Sequence, residues 1–195
     1  FGNDGSFTPE QFCDRINMDL ANAFGNLLNR TVSMINKYFN GVIPQYEGNV
    51  TPFDGELEAL AKAVVSRYEN SLDDLKITDA FIAVNELVSR ANKYIDETTP
   101  WALAKDETKQ KELASVMNHL ANAIYIAAML YQPVLVRASS KAFDQLGVSE
   151  QLRSYDNVYK FGVLGGQTVN KGDALFPRLD ASIEVEEIKK IMGNK

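Results

Sequence analysis

Apolar residues recur at three- and four-residue steps over most of the chain, the pattern of helices that bury one face. From Thr8 to about Phe39, the stripe is Ile16, Leu20, Phe24, Leu27, Met34, Ile35 and Tyr38. Thr8-Pro9-Glu10-Gln11 opens this helix, with Thr8 as cap, Pro9 at the first helical position and Gln11 completing a capping box. Asn40-Gly41 stops it. A helix of about 30 residues measures about 45 Å, long enough to be the spine of a bundle. Residues 41–53 hold Gly41, Pro44, Gly48 and Pro52 and read as a loop.

A second helix is predicted from about Asp54 to Leu75, turning Leu57, Ala61, Val64, Val65 and Tyr68 inward. Thr78-Asp79 opens a third, running to about Ile95 through Phe81, Val84, Val88 and Ala91. After a short polar loop, Thr99 as cap and Pro100 at the first position start a short helix with Trp101 in its first turn. The stretch from about Asp106 to Leu135 is the most apolar and is expected to be the central helix, bent by Pro133 near its end. Ser139 to Leu146 forms another helix, stopped by Gly147. From Ser154 the character changes, because Gly162, Gly165, Gly166, Gly172 and Pro177 break up the chain. Ser182 then caps a last short helix to about Met192. The expected architecture is all-α. A helical bundle spans residues 1–153, and an irregular C-terminal arm with a terminal helix spans 154–195 of the same domain.

Hydrophobic residues make up 45% of the 195 and charged residues 24%, enough for a sizeable core. A net charge of −6 argues against non-specific nucleic-acid binding, which works by neutralising phosphates. A local polar site that reads exposed bases is still open to it. Cys13 is the single cysteine, so an intrachain disulfide is excluded, and its helix position suits a buried, inert thiol. A reducing compartment fits. No unbroken apolar run reaches the roughly 18 residues of a membrane span. Asn29-Arg30-Thr31 matches a glycosylation sequon and is set aside as chance. The chain begins with Phe1 rather than Met, and a piece of a longer polypeptide is the expectation.

Catalytic chemistry is hard to find. His119 is the only histidine, it lies on the apolar central helix, and it reads as structural. No phosphate loop or dinucleotide fingerprint is present, since Gly162-Val163-Leu164-Gly165-Gly166 fits neither pattern. Glu184, Glu186 and Glu187 against Lys189 and Lys190 read as a solvated, charge-paired helix face. No catalytic residue and no metal site is therefore assigned.

The polar side of the first helix is less ordinary. Asn17, Asn22, Asn26, Asn29, Asn36 and Asn40 all fall on it or at its end, although Asn costs about 0.6 kcal/mol more than Ala in a helix. On an α-helix, Asn22, Asn26 and Arg30 form one slanted row about 12 Å long. Arg30 has Asn26, Leu27, Ser33 and Met34 at three and four residues either way, so no acid pairs with it on its own helix. Spacing leaves two readings open. Amides and a guanidinium are groups that bond to the edges of unpaired bases. Equally, the asparagines serve to tie down a loop while Arg30 meets a distant carboxylate. Trp101 is open in the same way, as a packing residue or as a ring that stacks on a base. Arg90, Lys93 and Lys105 are candidates for phosphate contacts, and Arg90 has Glu86 as an alternative partner four residues earlier.

NMDLANAFGNLLNRTVSMINKYF (17–39), NKYIDETTPWALAK (92–105) and LFPRLD (175–180) resemble the C-terminal anticodon-binding domain of bacterial methionyl-tRNA synthetases, in the same order and over essentially the whole chain. The resemblance implies a helical bundle of the class I aminoacyl-tRNA synthetase anticodon-binding type. It implies that the bundle receives the CAU anticodon loop of methionine tRNA. By motif, Asn26 and Arg30 would hydrogen-bond anticodon bases, Trp101 would stack on the first, and Pro100 would fix the ring. Asn22, one turn earlier, is the weaker carry-over, in a supporting role. Methionine activation with ATP belongs to a separate catalytic domain whose motifs do not occur here, so no cofactor is expected in this domain. The expected partners are methionine tRNA and the catalytic domain of the same polypeptide, in the cytoplasm, with neither membrane nor DNA. By similarity the arm with Leu175 and Phe176 folds toward the catalytic domain, so those residues are expected to be exposed or loosely packed in this chain alone. The rival reading is a helical protein–protein interaction module. A stand-alone enzyme is a distant third.

Overall fold

Thr8 caps the first helix as its position predicts, its hydroxyl accepting a hydrogen bond from the Gln11 N–H at 3.2 Å in the computed structural model, which describes residues 7–193. The long first helix is continuous but not uniform. It comprises α1 (Pro9–Arg15), a π-helical stretch (Ile16–Gly25) and α2 (Asn26–Phe39). The i→i+5 bonding of a π-helix adds residues to each turn, so over Ile16–Gly25 a step of four falls short of a full turn instead of overshooting it. Phe24 is fully buried, with its ring 5.2 Å from that of Tyr131. Asn40 ends α2 in the left-handed conformation.

The remaining helices are α3 (Asp54–Asp73), α4 (Ile77–Thr98), α5 (Pro100–Leu103), α6 (Gln110–Tyr131), α7 (Val136–Leu146) and α8 (Ala181–Ile191). Helices α2, α3, α4 and α7 pack around α6. Every residue from Ser115 to Tyr131 is buried, so α6 is the central helix that its composition predicts. By length and mean hydropathy, Glu107–Tyr131 would be able to cross a membrane, but 94% of its apolar window is enclosed by the bundle. The sequence expectation counted unbroken apolar runs and so missed this helix. The central helix also ends earlier than expected, and Pro133 lies in the break before α7 rather than at a bend.

Polar residues on α6 have a structural use. The Asn118 amide donates to the Pro44 carbonyl at 2.7 Å, and the His119 ring lies 2.9 Å from the Ser115 carbonyl and 3.3 Å from Asn49 Oδ1. They hold the 41–53 loop on the bundle. Asp54 is the strongest such anchor. It accepts from Tyr94 Oη and Ser115 Oγ, each at 2.6 Å, and from the Val50 and Thr51 N–H groups at 2.8 and 2.9 Å. One buried carboxylate thus joins the loop, α3, α4 and α6. Burial pushes its carboxyl up, but the hydrogen bonds from Ser115, Thr51 and Tyr94 more than offset this and leave it below the ordinary aspartate value.

The C-terminal arm corrects an expectation. Leu164 and Val169 are buried, Leu175 is 8% exposed, and Phe176 packs against the core. Backbone hydrogen bonds stitch the arm down, with Ile43 N–H to Gln167 O at 2.9 Å and Val169 N–H to Gly41 O at 2.8 Å. Where the arm crosses the end of α7, a Cβ on Gly147 would stand 2.1 Å from the Thr168 carbonyl oxygen, and Gly147 is also left-handed at φ +66°. Asn17 clamps the chain farther along, donating to Leu179 O at 3.0 Å and accepting from Leu179 N–H at 2.8 Å. Helix α8 then lies on α1, with Lys189 Nζ 2.6 Å from Glu10 Oε1. The short apolar pieces between the glycines are enough to seat the arm, because its unpaired backbone groups find partners on the bundle.

Candidate nucleic-acid interface

Asn17 and Asn36 use their amides inside the fold, Asn17 on Leu179 and Asn36 on the Val32 carbonyl at 3.0 Å. Asn40 serves the left-handed helix end. Asn22, Asn26 and Asn29 are exposed. Part of the surplus of asparagine is therefore structural. The expected row needs adjustment, because Asn22 lies in the π-helical stretch. Its wider turns mean that four residues no longer complete a turn, so only the step from Asn26 to Arg30 is α-helical.

Helix α4 runs alongside this face and in the same direction. Its Asn92 amide donates to the Ala23 carbonyl at 3.4 Å and to its own Val88 carbonyl at 3.0 Å. Farther along both helices, Arg30 lies 3.6 Å from Asp96. The distant carboxylate is thus real. The pair is long and solvent-facing, with the Asp96 side chain 70% exposed, and such pairs contribute about 0–1 kcal/mol. Sequence reasoning missed Asp96 because it searched one helix only, and no local spacing signal marks a partner on a separate helix.

Beyond Asp96 the chain turns sharply. Thr99 is left-handed, with φ 42° and ψ 62°, an unusual state for a β-branched residue that costs on the order of 1–3 kcal/mol. Thr99 does not cap the next helix through its side chain, contrary to the sequence expectation. The proline after it explains the break, since its ring disfavours a right-handed helical residue before it. Pro100 is buried, and Trp101 is 45% exposed. Trp101 is thus part packed and part exposed, which suits either reading of it. The structure brings Arg30 and the Trp101 turn to one end of the bundle by way of Asp96, with Asn26 one turn before Arg30.

Arg90 drops out as a phosphate ligand. It is buried, with Nε and NH2 donating to Glu56 at 2.8 and 3.1 Å and NH1 2.8 Å from Glu97. Its expected partner Glu86 pairs with Arg67 instead, at 2.6 Å. Lys93 lies 3.4 Å from Glu97, and Lys105 is exposed. Carboxylates thus border the face as closely as cations do. Among the described residues, no three His, Cys, Asp or Glu side chains gather to hold a metal ion.

Residues 43–194 match the family model of the anticodon binding domain of methionyl tRNA ligase. The chain belongs to that family. It is 54% identical over 195 residues to the methionine–tRNA ligase of Listeria monocytogenes and 51% identical over 196 residues to that of Bacillus subtilis. These alignments cover 98% and 100% of the chain but only 29% and 30% of the relatives. The crystal structure of the free Mycobacterium tuberculosis methionyl-tRNA synthetase superposes with a TM-score of 0.86 at 32% identity, covering 92% of this chain and 36% of that one. The all-α bundle is thus the anticodon-binding fold of methionyl-tRNA ligases, as the sequence resemblance implies. The family match begins after the first helix, so Asn22, Asn26 and Arg30 lie outside the segment matched by the model, whereas Pro100 and Trp101 lie inside it.

Proposed function

We propose that this anticodon-binding domain reads the CAU anticodon of methionine tRNA, on the face formed by Asn26, Arg30 and Trp101. Asn26 and Arg30 offer donors and an acceptor to base edges, Trp101 stacks on the first anticodon base, and Pro100 holds the ring's base in the bundle. Asn22 supports the face from the π-helical stretch. The observation that carries this reading is the parallel course of α2 and α4, which sets Arg30 beside Asp96 and leaves the tryptophan just beyond it exposed.

The domain works, in this reading, within a cytoplasmic methionine–tRNA ligase that charges its tRNA using ATP in a catalytic domain of the same polypeptide. Residues 154–195 belong to the same domain as 1–153. Exposed apolar residues near α1 and the α6–α7 break, Phe12, Met18, Val134 and Val136, suit contact with that larger polypeptide. Neither a membrane nor DNA has a part.

Trp101 is the only tryptophan, so its emission reports the site directly. Titration with a CAU anticodon stem-loop is expected to change that emission, and a stem-loop with another anticodon is expected to do so far less. Equal responses to both, or to neither, would refute the reading. In the rival view of a protein-interaction module, neither RNA would register.

A further inference from the structure

We propose that Thr99 is a positioning residue, whose left-handed backbone sets the direction in which the Trp101 ring leaves the bundle before RNA arrives. This rests on the reading of Trp101 as a stacking ring.

Both flanks of Thr99 are held. On one side, Thr98 is buried and its hydroxyl donates to the Tyr94 carbonyl at 2.6 Å, while Tyr94 is itself bound to Asp54. On the other side, Pro100 is buried, and α5 packs on α6. Thr99 serves both helices through its backbone. Its N–H donates to Ile95 O at 3.0 Å, and its carbonyl accepts from Ala102 N–H at 2.7 Å and Leu103 N–H at 3.2 Å. With the flanks fixed, the angle between α4 and α5 depends on the dihedrals of this one residue.

The residue type matters for the same reason. Proline at the next position disfavours the right-handed helical well and pushes the residue before it toward extended backbone, so the branched Thr99 is left-handed at a cost that its held flanks offset. A glycine would reach the left-handed state without strain, but it would reach many others as well. The threonine, once held left-handed by its flanks, has fewer other states within reach than a glycine would. A ring already aimed outward loses less freedom when a base stacks on it.

The test compares Thr99→Gly and Thr99→Asn with the parent chain. Three quantities are read: melting temperature, time-resolved anisotropy of Trp101, and affinity for the CAU stem-loop. Thr99→Gly is expected to melt no lower than the parent, to show a larger fast component of Trp101 motion, and to bind about five-fold more weakly if the ring keeps its productive direction about a fifth of the time. Thr99→Asn, which tolerates the left-handed state, is expected to keep both ring order and affinity. A Thr99→Gly chain whose ring moves no more than the parent's overturns the assignment. So does an affinity loss in both variants that follows a fall in melting temperature, because a merely structural residue behaves that way. A parent chain that ignores the stem-loop would remove the stacking reading of Trp101, while the anisotropy comparison would still decide Thr99.

Discussion

Tyr94 and Trp101 stand on either side of the turn that ends α4, and the bundle treats their rings in opposite ways. Tyr94 is fully buried, with its hydroxyl on Asp54. Burial, reinforced by that hydrogen bond, raises its pKa. Trp101 is nearly half in solvent. The same short stretch therefore contains a fully committed aromatic group of the polar core and a part-exposed one at the surface. Burying a polar side chain is worthwhile only where its partners are complete, as they are around Asp54. A reading surface needs groups whose partners are still to come.

The largest effect that would break this contrast lies on the inner side. Asp54→Ala leaves Tyr94, Ser115 and the Val50 and Thr51 N–H groups without their acceptor, and about 3–5 kcal/mol of stability should be lost in urea unfolding. A loss under 1 kcal/mol would show that the network is incidental. On the outer side, Trp101→Ala should weaken binding of the CAU stem-loop about ten-fold or more, as loss of a base stack implies, with unfolding within about 0.5 kcal/mol of the parent. Parallel losses of binding and stability would erase the distinction between the two rings.

Alkaline titration sharpens the inner half. Burial and then the Glu58 hydrogen bond push the Tyr46 hydroxyl up to about 12, and burial does the same for Tyr125. A folded value raised above the unfolded one means that the stability contribution is complete below about pH 10. It is lost as pH climbs through about 12. Phenolate absorbance should therefore lag that of model tyrosine and rise together with unfolding. At the acid end, the depressed Asp54 contributes fully above the ordinary aspartate value and loses its contribution as pH falls through its lower folded value. The smallest effect expected is that of salt. With net charge −6 and carboxylates Asp96 and Glu97 beside the face, the stem-loop should engage few phosphates. The slope of log affinity against log salt should be shallow, about −1 to −2. A slope several times steeper would mean that a basic surface elsewhere carries the binding.

Local rules reached much of this molecule from sequence because their causes are local. The Thr8 cap, the order of helices, the central place of α6 and the Gly147 stop follow from side-chain pattern and backbone preference within a few residues. Family resemblance then singled out Asn26, Arg30, Pro100 and Trp101, which spacing alone left undecided. Packing decided the remainder. Residues 16–25 form a π-helical stretch that the α-helical reading did not anticipate, and it alters where Asn22 points relative to Asn26.

By itself, then, the sequence determined an all-α bundle and its principal core faces, and through the family resemblance it nominated the residues of the candidate site. Only the tertiary structure decided that Arg30 meets Asp96 while Arg90 is consumed by Glu56 and Glu97, that the glycine-broken arm is seated on its own bundle, and that Trp101 is part exposed. Periodicity describes one helix at a time, whereas ion pairing and exposure depend on which second helix lies alongside. That choice is made by the whole core, through burial summed over many residues, and no short segment carries it.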